Sequence, residues 1–261
     1  MKISIVTVCF NNLEGLKRTL DSIPNKTYLP NIEVIIKDGG STDGTLQFLD
    51  KFNAKYSLKV IKGEDNGIYD AMNIALSRAR GDHVIFMNSG DCFSEGVLES
   101  IIEHRLSSES LYYGDAKFYY ENGSFAFDLY ANMSSQKCFL KHNCFSHQAI
   151  FYPTALLKEL SGYCLKYKVS SDFDLTWRCR LSECKFEYLN KVIAKCELGG
   201  VSCQQGLRSY RDRIESFFST GSYSFMFILI SNYPFFFFKN RLVKFLDGSS
   251  LLNAYRHYKA R

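Results

Sequence analysis

The chain has 261 residues, 46% of them hydrophobic and 23% charged, which is the make-up of a globular protein with a real core and excludes a disordered or fibrous chain. Residues 208–261 hold nine Lys/Arg against three Asp/Glu, so the net charge of +5 is confined to one end and the rest of the chain is close to neutral. A basic nucleic-acid-binding face is therefore excluded.

The first ninety residues alternate short apolar runs with helical patterns. Ile3–Cys9, Ile32–Lys37, Leu58–Ile61 and His83–Met87 read as strands, each ended by Asn, Asp or Gly. Between them Leu13, Leu16, Leu20 and Ile23 recur at helical spacing, as do Leu46, Leu49 and Phe52, and then Ile68, Met72, Ala75 and Ala79. Such alternation predicts a parallel, doubly wound sheet, whose ligands bind beyond the carboxyl ends of the strands. Those ends carry Phe10-Asn11-Asn12, then Asp38-Gly39-Gly40-Ser41-Thr42-Asp43-Gly44, then Asn88-Ser89-Gly90-Asp91. Polar residues gathered where strands stop predict one crevice.

Further on, Leu111–Tyr120 and Ser124–Phe127 predict a hairpin about Asn122-Gly123, and His147–Tyr152 a strand entering the site. Asp172–Leu181 reads as a helix with Ser170 or Ser171 as its N-cap, and Trp177 as a core residue on it. Lys185–Leu189 and Val192–Cys196 read as two more short strands. The nine cysteines are odd in number and include no CxxC pair or zinc spacing, and Ile3–Val8 is too short and β-branched for a signal peptide. Reduced thiols and a cytosolic setting are the expectation.

From Phe217 to Leu246 the composition turns aromatic, with Phe225–Ile230 and Phe235–Phe238 flanking Pro234, and Lys239, Arg241 and Lys244 following. The stretch is too short for a bilayer span and is broken by proline, so a segment lying in a membrane interface is expected. A core helix pair or a homodimer contact is the alternative.

Asp38 ends a buried strand and precedes two glycines, so a flat ring could approach its carboxylate; the alternative is a turn aspartate ahead of a helix Thr42–Phe52 capped by Ser41 or Thr42. Asp91, just past a strand and next to Gly90, suits Mg²⁺ or Mn²⁺, which use one or two carboxylates and complete their shell with substrate phosphates. Asp172 and Asp174 fall in a first helical turn, where the helix dipole alone favours them.

In order, Thr7-Val8-Cys9-Phe10-Asn11, Asp38–Thr45, Gly81-Asp82 and Asn88–Asp91 resemble the family 2 glycosyltransferases over about residues 1–200. Glu64–Asn73, His147-Gln148 and Gly199–Ser202 resemble a subgroup common in bacterial surface-polysaccharide gene clusters. The resemblance implies the α/β GT-A fold: a Rossmann-like, mostly parallel sheet flanked by helices, with the C-terminal aromatic extension added. It divides the chain into a catalytic domain, 1–215, whose halves are about 1–110 for the nucleotide and 111–215 for the acceptor, and a membrane-associating helical segment, 216–261. It makes Asp38 the partner of the base, with Phe10 stacked on it and Thr7 and Asn11 lining the same pocket, and Gly39, Asp65, Ser89, Gly90 and His147 about the donor. Asp91 becomes the metal ligand. Asn88 replaces the usual first acid and offers an oxygen without charge. Met72 stands where relatives place an Arg, so diphosphate neutralisation has to come from elsewhere. Ser171-Asp172 resembles the Glu-Asp motif, making Asp172 the catalytic base, and the lack of a QxxRW motif implies single-sugar addition.

The expected activity is inverting transfer of a hexose or N-acetylhexosamine from a nucleotide sugar, UDP-linked by family expectation, to a polyprenyl-diphosphate-linked saccharide. The setting is O-antigen (lipopolysaccharide) or capsule assembly at the cytoplasmic face of the bacterial inner membrane. A sugar nucleotidyltransferase would carry a Gly- and Lys/Arg-rich loop near the first strand, which Phe10–Glu14 is not; a non-catalytic nucleotide-sugar-binding protein is the other alternative.

Overall fold

The computed structural model describes residues 2–23, 29–104, 106–141, 144–199 and 206–232. Contacts divide the chain into two compact units, Met1–Gln205 and Gly206–Arg261.

In the first unit, β1 (Ile3–Cys9) leads through α1 (Leu13–Asp21) to β2 (Ile32–Asp38), both strands buried along their whole length. α2 (Thr45–Lys51), β3 (Ser57–Lys62), α3 (Ile68–Leu76) and β4 (His83–Phe86) complete the alternation. β1 pairs in parallel with β2 on one side and β4 on the other, and β2 with β3. Strands covered on both faces must be apolar throughout, which is why they read as unbroken runs. Of the three charged residues buried in β2, Glu33 accepts from Ser4 Oγ and the Gly81 amide, Lys37 Nζ lies 2.7 Å from Asp65, and Asp38 ends the strand. The register sets Cys9 beside Asp38 and Asp38 beside Lys62, so the loops leaving β1, β2 and β3 open on one edge.

Beyond β4 the sheet becomes mixed. β5 (Cys92–Phe93), α4 (Val97–Glu103), β6 (Ser110–Tyr119), β7 (Phe125–Leu129), β8 (Ile150–Pro153), α5 (Thr154–Glu159), α6 (Ser171–Leu181) and β9 (Lys185–Glu197) follow in chain order. The order across the sheet is β3-β2-β1-β4-β8-β6-β9-β5, with β7 hairpinned to β6 about Asn122-Gly123 as expected. β8 runs antiparallel to β4 and β6, while β9 is parallel to β6. Trp177 is fully buried in α6 against Phe139.

Three local expectations change. α2 begins at Thr45, because Gly44 takes the cap position at φ 97° and the Ser41 hydroxyl accepts the Asn11 amide instead. His147–Ala149 is a 3-10 turn and the strand starts only at Ile150. The two late strands are one, β9, kinked at Asn190 (φ 50°) and pressed so closely on Gly114 that a Cβ there would sit 2.5 Å from the Lys191 carbonyl oxygen.

The second unit holds α7 (Leu207–Ser219) and a further helical stretch, 223–232. Phe217 packs on Phe225, and the Tyr210 hydroxyl donates to the Leu229 carbonyl. Phe218, Tyr223, Phe227, Ile228 and Ile230 are exposed. Among the described residues no helix is long and apolar enough to cross a membrane. Pro234, Phe235–Phe238, Lys239, Arg241 and Lys244 lie outside the described residues, as do Gly200, Val201, Ser202 and Cys203. None of the eight described cysteines forms a disulfide.

Candidate active site

At the switch between β1 and β4 the strand-end loops are tied into one floor. The Asn12 side chain caps α1 by accepting the Gly15 amide, and its Nδ2 donates to the Ser89 carbonyl at 3.0 Å. Thr19 Oγ1 accepts the Gly90 amide at 3.0 Å and lies 3.2 Å from the Asn88 carbonyl oxygen, so α1 holds the Asn88–Asp91 loop from below. Asn11, at φ 49°, clamps the next loop: its Oδ1 accepts the Thr42 amide at 2.8 Å. Asp43 then accepts the Leu13 amide, closing the ring of contacts.

Above this floor lies a cavity of about 1540 Å³. Of the residues expected in the site, Phe10, Gly39, Asp65, Asn88, Ser89, Asp91, His147 and Asp172 line it. Thr7, Asn11, Asp38 and Gly90 do not, for reasons the geometry gives. Thr7 is fully buried within β1, Asn11 is used in the clamp, and Gly90 faces α1. Asp38 is fully buried beneath Gly39, with Oδ1 accepting the Gly40 and Ser41 amides at 2.9 and 2.8 Å. It builds the turn, as the alternative reading had it, but its Oδ2 is left without a partner. Thr7 Oγ1 and Asn88 Oδ1 are buried and unpartnered too, so β1, β2 and the loop after β4 each leave an unmatched oxygen near this edge.

Phe10 stands on the rim of the cavity with two-thirds of its surface exposed. A side chain at Gly39 would meet both Phe10 and Asp65 Oδ2 at 3.2 Å, so the missing Cβ keeps the space between them open. Asp65 is held there by Lys37, whose ammonium is spent on Asp65, the Asp38 carbonyl and the Gly63 carbonyl.

Asp91 is buried, accepting from Gln148 Nε2 (2.9 Å) and the Glu197 amide (3.0 Å). Burial pushes its carboxyl up to about 6, against the pull of those hydrogen bonds. Gln148 and Glu197 were not singled out from sequence as partners of Asp91; the pairing of His147 with Gln148 was the only signal. Among the described residues no three His, Cys, Asp or Glu converge on a point, so the chain offers no complete metal cage. Asp91 nevertheless fits a hard cation: each of its oxygens keeps a lone pair, and such an ion takes the rest of its shell from phosphate and water.

Asp172, which also lines the cavity, opens the first turn of α6. Its Oδ2 is 3.5 Å from His147 Nδ1, and its Oδ1 is 3.3 Å from the Tyr69 hydroxyl. Asp174 is different in kind: it pairs with Arg178 at 2.8 Å and is buried away from the cavity. Met72 is fully buried, so it offers the site nothing. The described cavity lining thus carries Glu64, Asp65, Asp91, Glu121, Asp172 and Glu197 and no lysine or arginine, with Lys37 paired to Asp65 and Arg18 to Glu197 from outside the lining. Phe118, Phe127, Leu129, Phe145 and Leu198 add an apolar wall from the second half of the sheet.

Residues 4–157 match the family described as "Glycosyl transferase family 2". The "PGL/p-HBAD biosynthesis glycosyltransferase" of Mycobacterium tuberculosis is 34% identical over 210 residues, which cover 76% of this chain and 78% of that protein. Among solved structures, Staphylococcus aureus TarS 1–349 in complex with UDP-GlcNAc superposes with a TM-score of 0.64 at 22% identity, covering 83% of this chain and 65% of that one. The mannosyltransferase PcManGT from Pyrobaculum calidifontis, in complex with GDP-Man and Mn²⁺, gives 0.57 at 16% identity, covering 84% and 64%. The chain therefore spans less than two thirds of either solved chain. Sheet order, strand-end loops and matched profile agree: the chain belongs to glycosyl transferase family 2 and is a glycosyltransferase of the GT-A fold.

Proposed function

We propose that this enzyme is a metal-dependent, inverting, non-processive transferase that moves a hexose or N-acetylhexosamine from a UDP-sugar to a lipid-linked saccharide. The observation that carries the reading is electrostatic. Asp91 and Asp172 open on one cavity whose described lining holds six carboxylates and neither lysine nor arginine, and the cations beside it, Lys37 and Arg18, are already paired with Asp65 and Glu197, so a bound diphosphate calls for a further positive charge. Asp91 would hold a divalent cation, Mn²⁺ or Mg²⁺, which when bound would supply that charge and offset the charge left on the departing diphosphate.

The chain's own residues do the rest. Phe10 stacks on the base, and the unmatched Asp38 Oδ2 beneath Gly39 accepts a base N–H. Asp65 borders the same space, held in place by Lys37. Asp172, on the same cavity, takes the proton of the acceptor hydroxyl as that oxygen attacks the anomeric carbon from the face opposite the leaving group. One base on the acceptor side accords with inversion in a single displacement.

The acceptor is read from two apolar features. The cavity wall of Phe118, Phe127, Leu129 and Phe145 suits an amphiphilic molecule better than a free sugar. Separately, Phe218, Tyr223 and Phe227 stand exposed in the second unit, ahead of the basic, aromatic end of the chain. Both support a polyprenyl-diphosphate carrier used at the cytoplasmic face of a bacterial inner membrane, in O-antigen or capsule assembly. The test is a screen of nucleotide sugars for Mn²⁺-dependent nucleotide release, with and without an N-acetylglucosamine-diphosphate-lipid analogue. Asp172→Asn is expected to bind donor normally and lose transfer; retention of most of the rate would remove Asp172 as base. Removal of residues 217–261 is expected to abolish sedimentation with anionic vesicles, and full retention would overturn the membrane assignment.

A further inference from the structure

Each oxygen of Asp172 faces a side chain delivered by another element. Tyr69 comes from the first turn of α3, directly after the cavity-lining loop 64–67. Its ring stacks on Tyr163, with centroids 5.2 Å apart. Its hydroxyl lies 2.9 Å from the Val169 carbonyl oxygen and 3.3 Å from Asp172 Oδ1, so it spans the segment leading into α6 and the first turn itself. A phenol has one proton to share between these acceptors, and either way its oxygen fixes the separation of α3 from Asp172.

On the other oxygen, His147 Nδ1 lies 3.5 Å from Asp172 Oδ2, while its Nε2 lies 3.5 Å from Asn88 Nδ2. An amide nitrogen can only donate, so with the Asn88 amide in this orientation the imidazole nitrogen facing it is the acceptor and the ring proton sits on Nδ1, toward Asp172. An aspartate at position 88 would have no N–H to give and would draw the proton to Nε2.

We propose that Tyr69, His147 and Asn88 are positioning residues that aim Asp172, Tyr69 through Oδ1 and His147 through Oδ2 with its tautomer set by Asn88. Each carboxylate oxygen keeps a lone pair for the acceptor proton, and the side chain remains open to the cavity. Because α3 and the Asn88 loop belong to the nucleotide half, the base is oriented by the elements that hold the donor. The inference rests on Asp172 acting as the base.

The test uses the full chain and two readouts. Histidine ¹⁵N NMR, with His147 assigned by difference against His147→Gln, is expected to find the proton on Nδ1 in the wild type and on Nε2, or on both nitrogens, in Asn88→Asp. Release of UDP from UDP-N-acetylglucosamine with Mn²⁺ and the lipid analogue is expected to fall about 10- to 100-fold in kcat for Tyr69→Phe and His147→Gln, with donor KM within about threefold of wild type. An Nε2-protonated His147 in the wild type, or no change in Asn88→Asp, overturns the tautomer assignment. Wild-type kcat in both Tyr69→Phe and His147→Gln, beside an inactive Asp172→Asn, overturns the positioning role and leaves the base standing. An active Asp172→Asn removes the base, and with it the positioning role.

Discussion

Metal-free protein is expected to gain stability when Asp91 is replaced by asparagine, and to gain it only above a defined pH. Burial raises the Asp91 carboxyl from an ordinary 3.8 to about 6, so the folded state holds this proton more tightly than the unfolded chain does. A carboxyl raised on folding favours the fold fully below 3.8, where both states are protonated. That advantage is lost as pH climbs from 3.8 to about 6, and above this a fixed penalty remains. At roughly 1.4 kcal/mol per pH unit, the penalty is about 3 kcal/mol. The introduced amide keeps an oxygen for the Glu197 amide, and Gln148 can turn its own amide over, because Ser146 Oγ, which now donates to Gln148 Oε1, can accept instead. Asp91→Asn should then melt about 6–12 °C above wild type at pH 7.5 in EDTA, and within a few degrees of it at pH 4. Adding Mn²⁺ and UDP should stabilise the wild type and leave Asp91→Asn unmoved, since bound cation requires the ionised carboxylate. Thermal unfolding by circular dichroism at both pH values decides the matter. A mutant less stable than wild type at pH 7.5 without metal, or equally stabilised by Mn²⁺ and UDP, would refute the assignment of Asp91.

Phe10→Ala should weaken UDP binding by about 1–3 kcal/mol, the usual worth of one aromatic stacked on a base, while unfolding moves little because the ring is mostly exposed; calorimetric titration and a melt read both. Asp38→Asn keeps the oxygen that accepts the Gly40 and Ser41 amides and replaces only the unmatched Oδ2, so it should lower UDP affinity about tenfold or more at near-native stability. Unchanged affinity would make Asp38 a loop residue alone. Lys37→Met leaves Asp65 without its buried cation and strands two carbonyls; denaturant unfolding should show a loss of about 3–5 kcal/mol.

What the sequence revealed, and what it hid, follows from how far apart the interacting residues lie. Three of the four parallel strands, β1, β2 and β4, were legible because burial along their whole length favours apolar runs, and the strand ends were legible because Asn, Asp and Gly stop them. Lys37 shows the first limit. Within a strand it reads as a surface residue, yet it is buried because Asp65, 28 positions later, waits at its tip. Tyr69 shows the second: nothing near it in the chain announces a partner, since the carboxylate it touches is 103 residues away. Asp38 shows a third, because a turn-building oxygen and an unmatched one belong to a single side chain, and only the coordinates separate the two.

The same distances explain how the site is divided. The first half of the site is made of loops fixed by the strands they leave, with Asn12, Asn11 and Thr19 knitting them together across 77, 31 and 71 positions of sequence. The acceptor side is built from a hairpin, a 3-10 turn and the start of α6, none of which carries a periodicity that names its neighbours. It is joined to the nucleotide side through a few long-range contacts: Gln148 on Asp91, Glu197 beside it, and His147 and Tyr69 on Asp172. A substitution in these loops can therefore reach Asp172 without touching it. Asn88 is the sharpest instance: its place in the motif looks like a weakened metal site, while its amide faces the imidazole beside Asp172.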